Sequence, residues 1–447
     1  MANKISETTT ILVQTIIMIV LLFSIGMLLQ GCTDKCEVTS TYDYQYFEPV
    51  YTSLSEIRSS VAFQEPEALN NTGKIYIIGN SILINELGKG IHVIDNSNPA
   101  SPKIEGFINI PGNYDMAVRD KILYADSYMD LLAIDISDIN NIQILNRIEN
   151  VIYSNSSMGF DVVTEMGVIT DWQVVSTVSK IESECNSLPG YFMYADGYLA
   201  RPEANFRNMA MESNSFASSP VGNNTGIGGS MARFTINEQF LYTIDHSNMN
   251  VFNITDPENP TLDININIGW GIETIFPYRN NLFIGAQDGM HIYSLSTPSN
   301  PSYISTFSHV TSCDPVVVEG DYAYVTLRSG SECMGFTNQL DVLDIKDLTT
   351  PTLVKSYPMV NPHGLGISED ILFVCEGEFG LKIFNAEDKE NIDENMLAHF
   401  SDLHAYDVIP YGKNLIMIGR DGLYQYNFED IENIKLLSFI AVTPLSQ

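Results

Sequence analysis

Basic residues are scarce in this chain. Lys and Arg together number 22 against 55 Asp and Glu, and the net charge is −33. Such a chain has no basic stripe to lay along a phosphate backbone, which excludes nucleic acid as a partner. It is equally short of a surface that would adhere to anionic lipid headgroups. Trp occurs only twice. The six Cys contain no Cys-x-x-Cys pair and the seven His show no ligand spacing, so a zinc site is not expected. There is no EF-hand loop and no Gly-x-Ser-x-Gly elbow. A Ser-His-Asp set assembled from distant parts of the chain stays open. Beyond the N-terminal segment, sustained helical periodicity is lacking too.

What the chain does have is apolar and β-branched. Hydrophobic residues make up 45% of the 447, and Tyr (23) and Phe (21) are plentiful. Apolar runs of four to eight residues lie between Gly, Asn, Asp, Pro and Ser, which reads as strands and turns. One plan recurs from KIYIIGNSILINELGKGIHVID (74–95) to NLIMIGRDGLYQYNFED (414–430). It is an aromatic-bearing strand, a polar turn, a strand ending in Ile-Asp or a variant, an Asp/Asn-Pro turn, and another strand. A short strand precedes each unit. The aromatic recurs at Tyr76, Tyr124, Tyr242, Phe283, Tyr324 and Phe373, with Ile416 in the last unit. A repeat of about 40–50 residues with four strands predicts an all-β propeller of four-stranded antiparallel blades.

Seven units are visible, and seven blades are favoured. The interval from Tyr124 to Tyr242 is the exception. Its segment 162–178 reads as a degenerate unit, which would make eight blades, or as a strand extension. An inserted loop of about 182–229 follows, rich in Asn, Ser and Gly. The final strand, 434–442, is expected to pair with the first blade and close the ring.

Residues 11–29 form one apolar run that ends in Leu29-Gln30-Gly31-Cys32. This ending resembles a bacterial lipobox. The resemblance implies that residues 1–31 are a lipoprotein signal peptide and that Cys32 carries the lipid. The alternative is an uncleaved signal-anchor helix. Residues 32–58 then read as a lipidated tether, with the propeller over 59–443. Export implies an oxidising compartment. One hairpin separates Cys313 from Cys333, so a disulfide between them is expected. Cys375 reads as a buried free thiol.

The phrases HVIDNSNPASP, LLAIDISD and LDVLDIKD carry a Leu-Val-Ile-Val-Asp-like signature. The chain resembles the LVIVD-repeat proteins, bacterial envelope propellers that are frequently lipoproteins. The resemblance implies an outer-membrane lipoprotein on the periplasmic or surface face. It transfers no catalytic residues.

Candidate site residues come instead from the repeat itself. Nine or ten positions before each marker stand Asp115, Arg233, Glu273, Asp314, His363 and Asp407, with Glu65 or Glu67 near that place in unit one. Blade symmetry would set them around one mouth of the central channel. Such a ring could hold a small polar ligand or a divalent cation such as calcium; otherwise each group caps its own strand or pairs with a neighbour. The Asp of each Ile-Asp step (Asp95, Asp135, Asp344) reads as the start of an Asx turn. His92 and His291 are expected on blade surfaces. The reading that follows is a binding or scaffold module anchored through Cys32, with an envelope protein or a glycan as partner. The other reading is an envelope hydrolase or lyase using the acidic/His ring.

Overall fold

The computed structural model describes residues 13–24, 37–152, 162–163, 166–184, 225–309, 315–329 and 337–443. Seven four-stranded antiparallel sheets form the blades: 72–109, 116–148, 234–267, 272–308, 316–358, 365–400 and 407–441. In each, the four strands follow one another in sequence from hub to rim. Blade 1 gains an extra outer strand, Ala62–Gln64, and an extra inner one, Ile227–Gly228.

The recurring aromatic is what joins neighbouring blades. Tyr124, Tyr242, Phe283, Tyr324 and Phe373 are at most 1% exposed. Each buried aromatic contributes roughly 1.5–3 kcal/mol relative to exposure. The Asp of each Ile-Asp step starts an Asx turn on the opposite face from the strand starts. Asp95, Asp135 and Asp344 accept from the backbone N–H groups of Ser97, Ser137 and Lys346 at 2.8–2.9 Å. The signature residue therefore shapes a turn.

The ring closes by packing. The last strand, Lys435–Ala441, pairs with Gly422–Asn427 inside its own blade and not with blade 1. Blades 7 and 1 are joined by a parallel bridge between Leu69 and Val442. Thr443 N donates to Leu69 O and Ser438 Oγ to Pro99 O, both at 2.7 Å. Isoleucines of blade 1 (Ile75, Ile77, Ile82, Ile84) share an apolar cluster with Val408, Leu415 and Ile416.

The region read as a possible eighth blade is something else. Gly167–Glu184 is one long strand that pairs with Glu37–Thr52 in a separate three-stranded sheet. The described residues up to Glu48 and from Trp172 to Glu184 belong to a second compact unit. The expected tether is thus structured from residue 37 onward. Its end is a short helix, Leu54–Ser59, capped by Ser53. That helix is fixed to blade 2 by Arg58, whose Nε and Nη2 donate to the two oxygens of buried Asp130 at 2.8 and 3.0 Å. Residues 13–24 are helical; among the described residues no helix is long and apolar enough to cross a membrane. Cys32, Cys36, Cys185, Cys313 and Cys333 lie outside the described residues. Cys375 is a fully buried free thiol, its pKa pushed well up by burial and by Asp407 and Glu376.

Candidate functional site

Inner strands start, and second strands turn into third strands, at one mouth of the hub. Pairing with the second strands fixes which inner-strand residues are equivalent. Tyr76, Ala117, Thr235, Phe276, Val317, Gly366 and Ile409 face Leu83, Tyr124, Tyr242, Phe283, Tyr324, Phe373 and Ile416. The blade 1 marker is therefore Leu83, and Tyr76 belongs to the inner strand. The mouth residue of blade 1 is Lys74, not Glu65 or Glu67.

The six sequence candidates divide between two registers. Asp115, Arg233 and Asp407 stand nine residues before their markers, as Lys74 does. Glu273 and His363 stand ten before: Glu273 falls in a bulge between Ile272 and Thr274, and His363 precedes its strand, Leu365–Ser368. Asp314 also stands ten before but lies outside the described residues.

Lys74, Asp115 and Arg233 meet. Lys74 Nζ forms a buried ion pair with Asp115 Oδ2, and the same oxygen accepts from Arg233 N at 2.5 Å. Asp115 Oδ1 accepts from Met116 N at 2.7 Å. Beneath it, Asp126 Oδ1 accepts from Asn113 Nδ2, Tyr114 N and Asp115 N at 2.7–3.0 Å. Burial pushes the Asp126 carboxyl up to about 7, and the Asp115 charge adds to this against the two backbone N–H groups. Lys74 is pushed down by burial and by Arg233, against the pull of Asp115.

Arg233 links onward to Glu273, donating from Nε to its carbonyl at 3.4 Å. Glu273 Oε1 accepts from Gln287 Nε2 at 3.1 Å. His363 and Asp407 sit on the other side of the mouth. The His363 ring lies 5.6 Å from that of Tyr406, and the His404 ring 4.3 Å from it. Both histidines are held neutral. Burial and Arg328 push His363 well down, and burial with Arg420 pushes His404 to about 4. Asp407 Oδ1 accepts from Val408 N, capping its own strand. Among the described residues, no three His, Cys, Asp or Glu side chains converge as a metal site would require.

Below the mouth, the chain itself runs along the inner sides of blades 1 to 4. Coming from the insertion after blade 2, Thr225 bridges Arg119 and Gly226 N donates to Val118 O at 3.0 Å. Ile227 and Gly228 pair with Ile77 and Tyr76 on the inner edge of blade 1. Ala232 O then accepts from Ile275 N of blade 4 at 2.9 Å. Arg233 next opens the inner strand of blade 3. Only glycine fits beside Tyr76: a Cβ on Gly226 would stand 2.1 Å from the ring. A cavity of about 30 Å³ lies beside it, lined by Gly228, Ala232, Thr235 and Phe276 among others, enough for about one water.

Sequence reasoning missed three parts of this arrangement. Lys74 was hidden by the blade 1 register. The strand through the hub read as loop, although its Gly-Ile-Gly-Gly run was a visible signal. The corner around Trp270 was signalled by Gly-Trp-Gly. The two matched histidines are buried, not on blade surfaces: His92 is 1% exposed and bonds Glu86 at 3.0 Å, and His291 meets Thr306 at 2.6 Å. Burial opposes the charge on Glu86, but bonds from His92 and the Asn71 and Asn70 N–H groups outweigh it and hold its pKa low.

Solved structures share this outline at very low identity. The computationally designed Ika8 protein is 11% identical, with 86% of this chain and 94% of that one covered and a TM-score of 0.48. A functionally unknown protein from Desulfotomaculum acetoxidans DSM 771 is 9% identical (83% and 95% covered, TM-score 0.45). Kluyveromyces lactis Hsv2 is 11% identical (83% and 100% covered, TM-score 0.46). No curated protein matches the chain. A closed propeller is a rigid platform for loops, the general architecture of a binding or scaffold module. The LVIVD-repeat model matches residues 71–109 and 312–358, which cover blade 1 and blade 5. The chain is thus a seven-blade β-propeller that carries LVIVD repeats in two of its blades.

Proposed function

We propose that this protein is a non-catalytic binding module, held on a bacterial envelope membrane by lipid on Cys32, and that its partner is engaged at the mouth where the inner strands start. One observation carries this reading: the ionisable groups of the hub are taken up internally. Asp115 serves Lys74 and two backbone N–H groups, and Asp126 serves Asn113 and two more. A hydrolase or lyase working from a ring of carboxylates needs at least one that can reach substrate. Here Asp115, Asp126 and Asp407 are buried, and the partly exposed Glu273 is bonded to Gln287. Around them the mouth presents exposed turns.

The test is photo-crosslinking in cells. A photoreactive residue replaces Lys89 or Glu378, both exposed at the mouth, or Asp256 or Asp388, both exposed on the opposite face. Adducts are expected from the mouth positions. Adducts from the opposite face alone, or from neither face, overturn the reading.

A further inference from the structure

We propose that Trp270 is the stacking platform of a subsite for a neutral sugar ring, at the corner of the mouth between blades 3 and 4. This rests on the binding-module reading and names the chemistry of its ligand.

Trp270 lies in the link from the outer strand of blade 3, Thr261–Asn267, to the inner strand of blade 4, Ile272–Tyr278. Its neighbours Gly269 and Gly271 have φ of 127° and 70°. These backbone angles lie where L side chains are strained, so the glycines let the link turn the indole outward. The indole is 55% exposed in a chain with only two tryptophans. It is also braced. The ring of His246, from the turn after the second strand of blade 3, meets it edge-on at 5.3 Å and 88°. His246 O accepts from Ile272 N at 3.1 Å, which ties that turn to the Trp270 link. A large flat apolar surface is thus held in water at a fixed angle.

Polar groups stand next to it. Gln287 N donates to Gly271 O at 2.9 Å, and the Gln287 side chain lies against Gly271. Its Nε2 is engaged by Glu273, whereas its Oε1 is buried without any partner. Gln287 is only 9% exposed. A buried acceptor left unmatched is costly, and a ligand hydroxyl is a donor that could supply the missing bond. Arg233 reaches the same corner through the Glu273 carbonyl.

An apolar plate beside an amide, a carboxylate and a guanidinium suits a ligand with one C–H face and a rim of hydroxyls. A sugar ring has that form. An anion would meet Glu273, Asp245 and Asp288 on a chain of net charge −33. A wholly apolar ligand would leave the polar groups unmatched.

The experiment uses the detergent-solubilised full chain. Chitotriose, mannotriose, cellotriose and maltotriose are titrated while tryptophan emission is followed, and the chain is applied to an immobilised glycan array. At least one neutral glycan is expected to bind and shift the emission to the blue. Trp270→Ala should weaken that binding about tenfold or more and Trp270→Phe about threefold, with unfolding unchanged. Gln287→Leu, which removes the amide at similar size, should also weaken it. Absence of binding across sugars and array, or equal binding by Trp270→Ala, overturns the subsite. If mouth crosslinks persist while no glycan binds, the subsite falls and the module reading survives. Protease-sensitive adducts lost in Trp270→Ala, again without glycan binding, identify a peptide partner and overturn the sugar assignment. If the mouth crosslinks fail, the module reading falls.

Discussion

The hydroxyl of Tyr242 donates to the carbonyl of Pro298 at 2.9 Å, pinning the second strand of blade 3 to a turn of blade 4. Tyr124 does the same with Pro257, one blade earlier, at 2.8 Å. In blade 5 the matching carbonyl is that of Lys389, and Tyr357 from the outer strand takes it at 2.7 Å. The Tyr324 hydroxyl is left buried without a partner. Tyr242→Phe should therefore cost about 1 kcal/mol, the usual net worth of such a bond. Tyr324→Phe should be neutral or slightly stabilising. Chemical denaturation of the two variants checks this, and equal losses would contradict the pairing.

Asp126 gives a pH signature. Its folded-state pKa, about 7, lies above the ordinary carboxyl value because it is buried beside Asp115. The native state then holds a proton that the unfolded chain releases near pH 4. That contribution is complete below pH 4 and is lost as pH rises towards and through 7. Asp126→Asn keeps the acceptor oxygen and removes the titration. Melting curves from pH 4 to 8 should fall less steeply with pH for the variant than for the wild type; parallel curves would show that Asp126 does not titrate in this range.

The strand in the hub predicts a coupled pair. Gly226→Ala drives a Cβ into the Tyr76 ring and should cost about 1–3 kcal/mol, as overpacking does. In a Tyr76→Ala background the added cost should largely disappear, giving a coupling well above the few tenths expected of independent sites. An additive double mutant would mean that the strand does not sit against Tyr76.

Anchoring can be tested without any ligand. Cys32→Ala should move the protein from the membrane fraction to the soluble fraction of the cell. If the variant stays membrane-bound, an uncleaved helix over residues 11–29 is the better account. Thiol titration of the unreduced protein tests the Cys313–Cys333 bridge in the same preparation.

Blade number and most blade boundaries were legible because they rest on local chemistry. An aromatic every 40 to 50 residues and an Asx turn after each Ile-Asp step are readable within one unit. The first blade misled because its inner and second strands, KIYII and SILIN, are both apolar and the only aromatic, Tyr76, sits in the inner one. That slip moved the marker by seven residues and hid Lys74. The pairing of Glu37–Thr52 with Gly167–Glu184 was not legible, since nothing local says where a Tyr-rich strand finds its partner. The hub strand failed for the same reason. Its glycines are required by the ring of Tyr76, and Tyr76 OH bonds Gly226 O across 150 positions of chain. Of the mouth candidates, those in the Lys74 register were placed by counting. Glu273 was displaced by a bulge between Ile272 and Thr274, which no spacing rule anticipates.

The inner edge of blade 1 is already spoken for. Ile227 and Gly228 pair with Ile77 and Tyr76, so a foreign strand cannot add itself there without first displacing the protein's own.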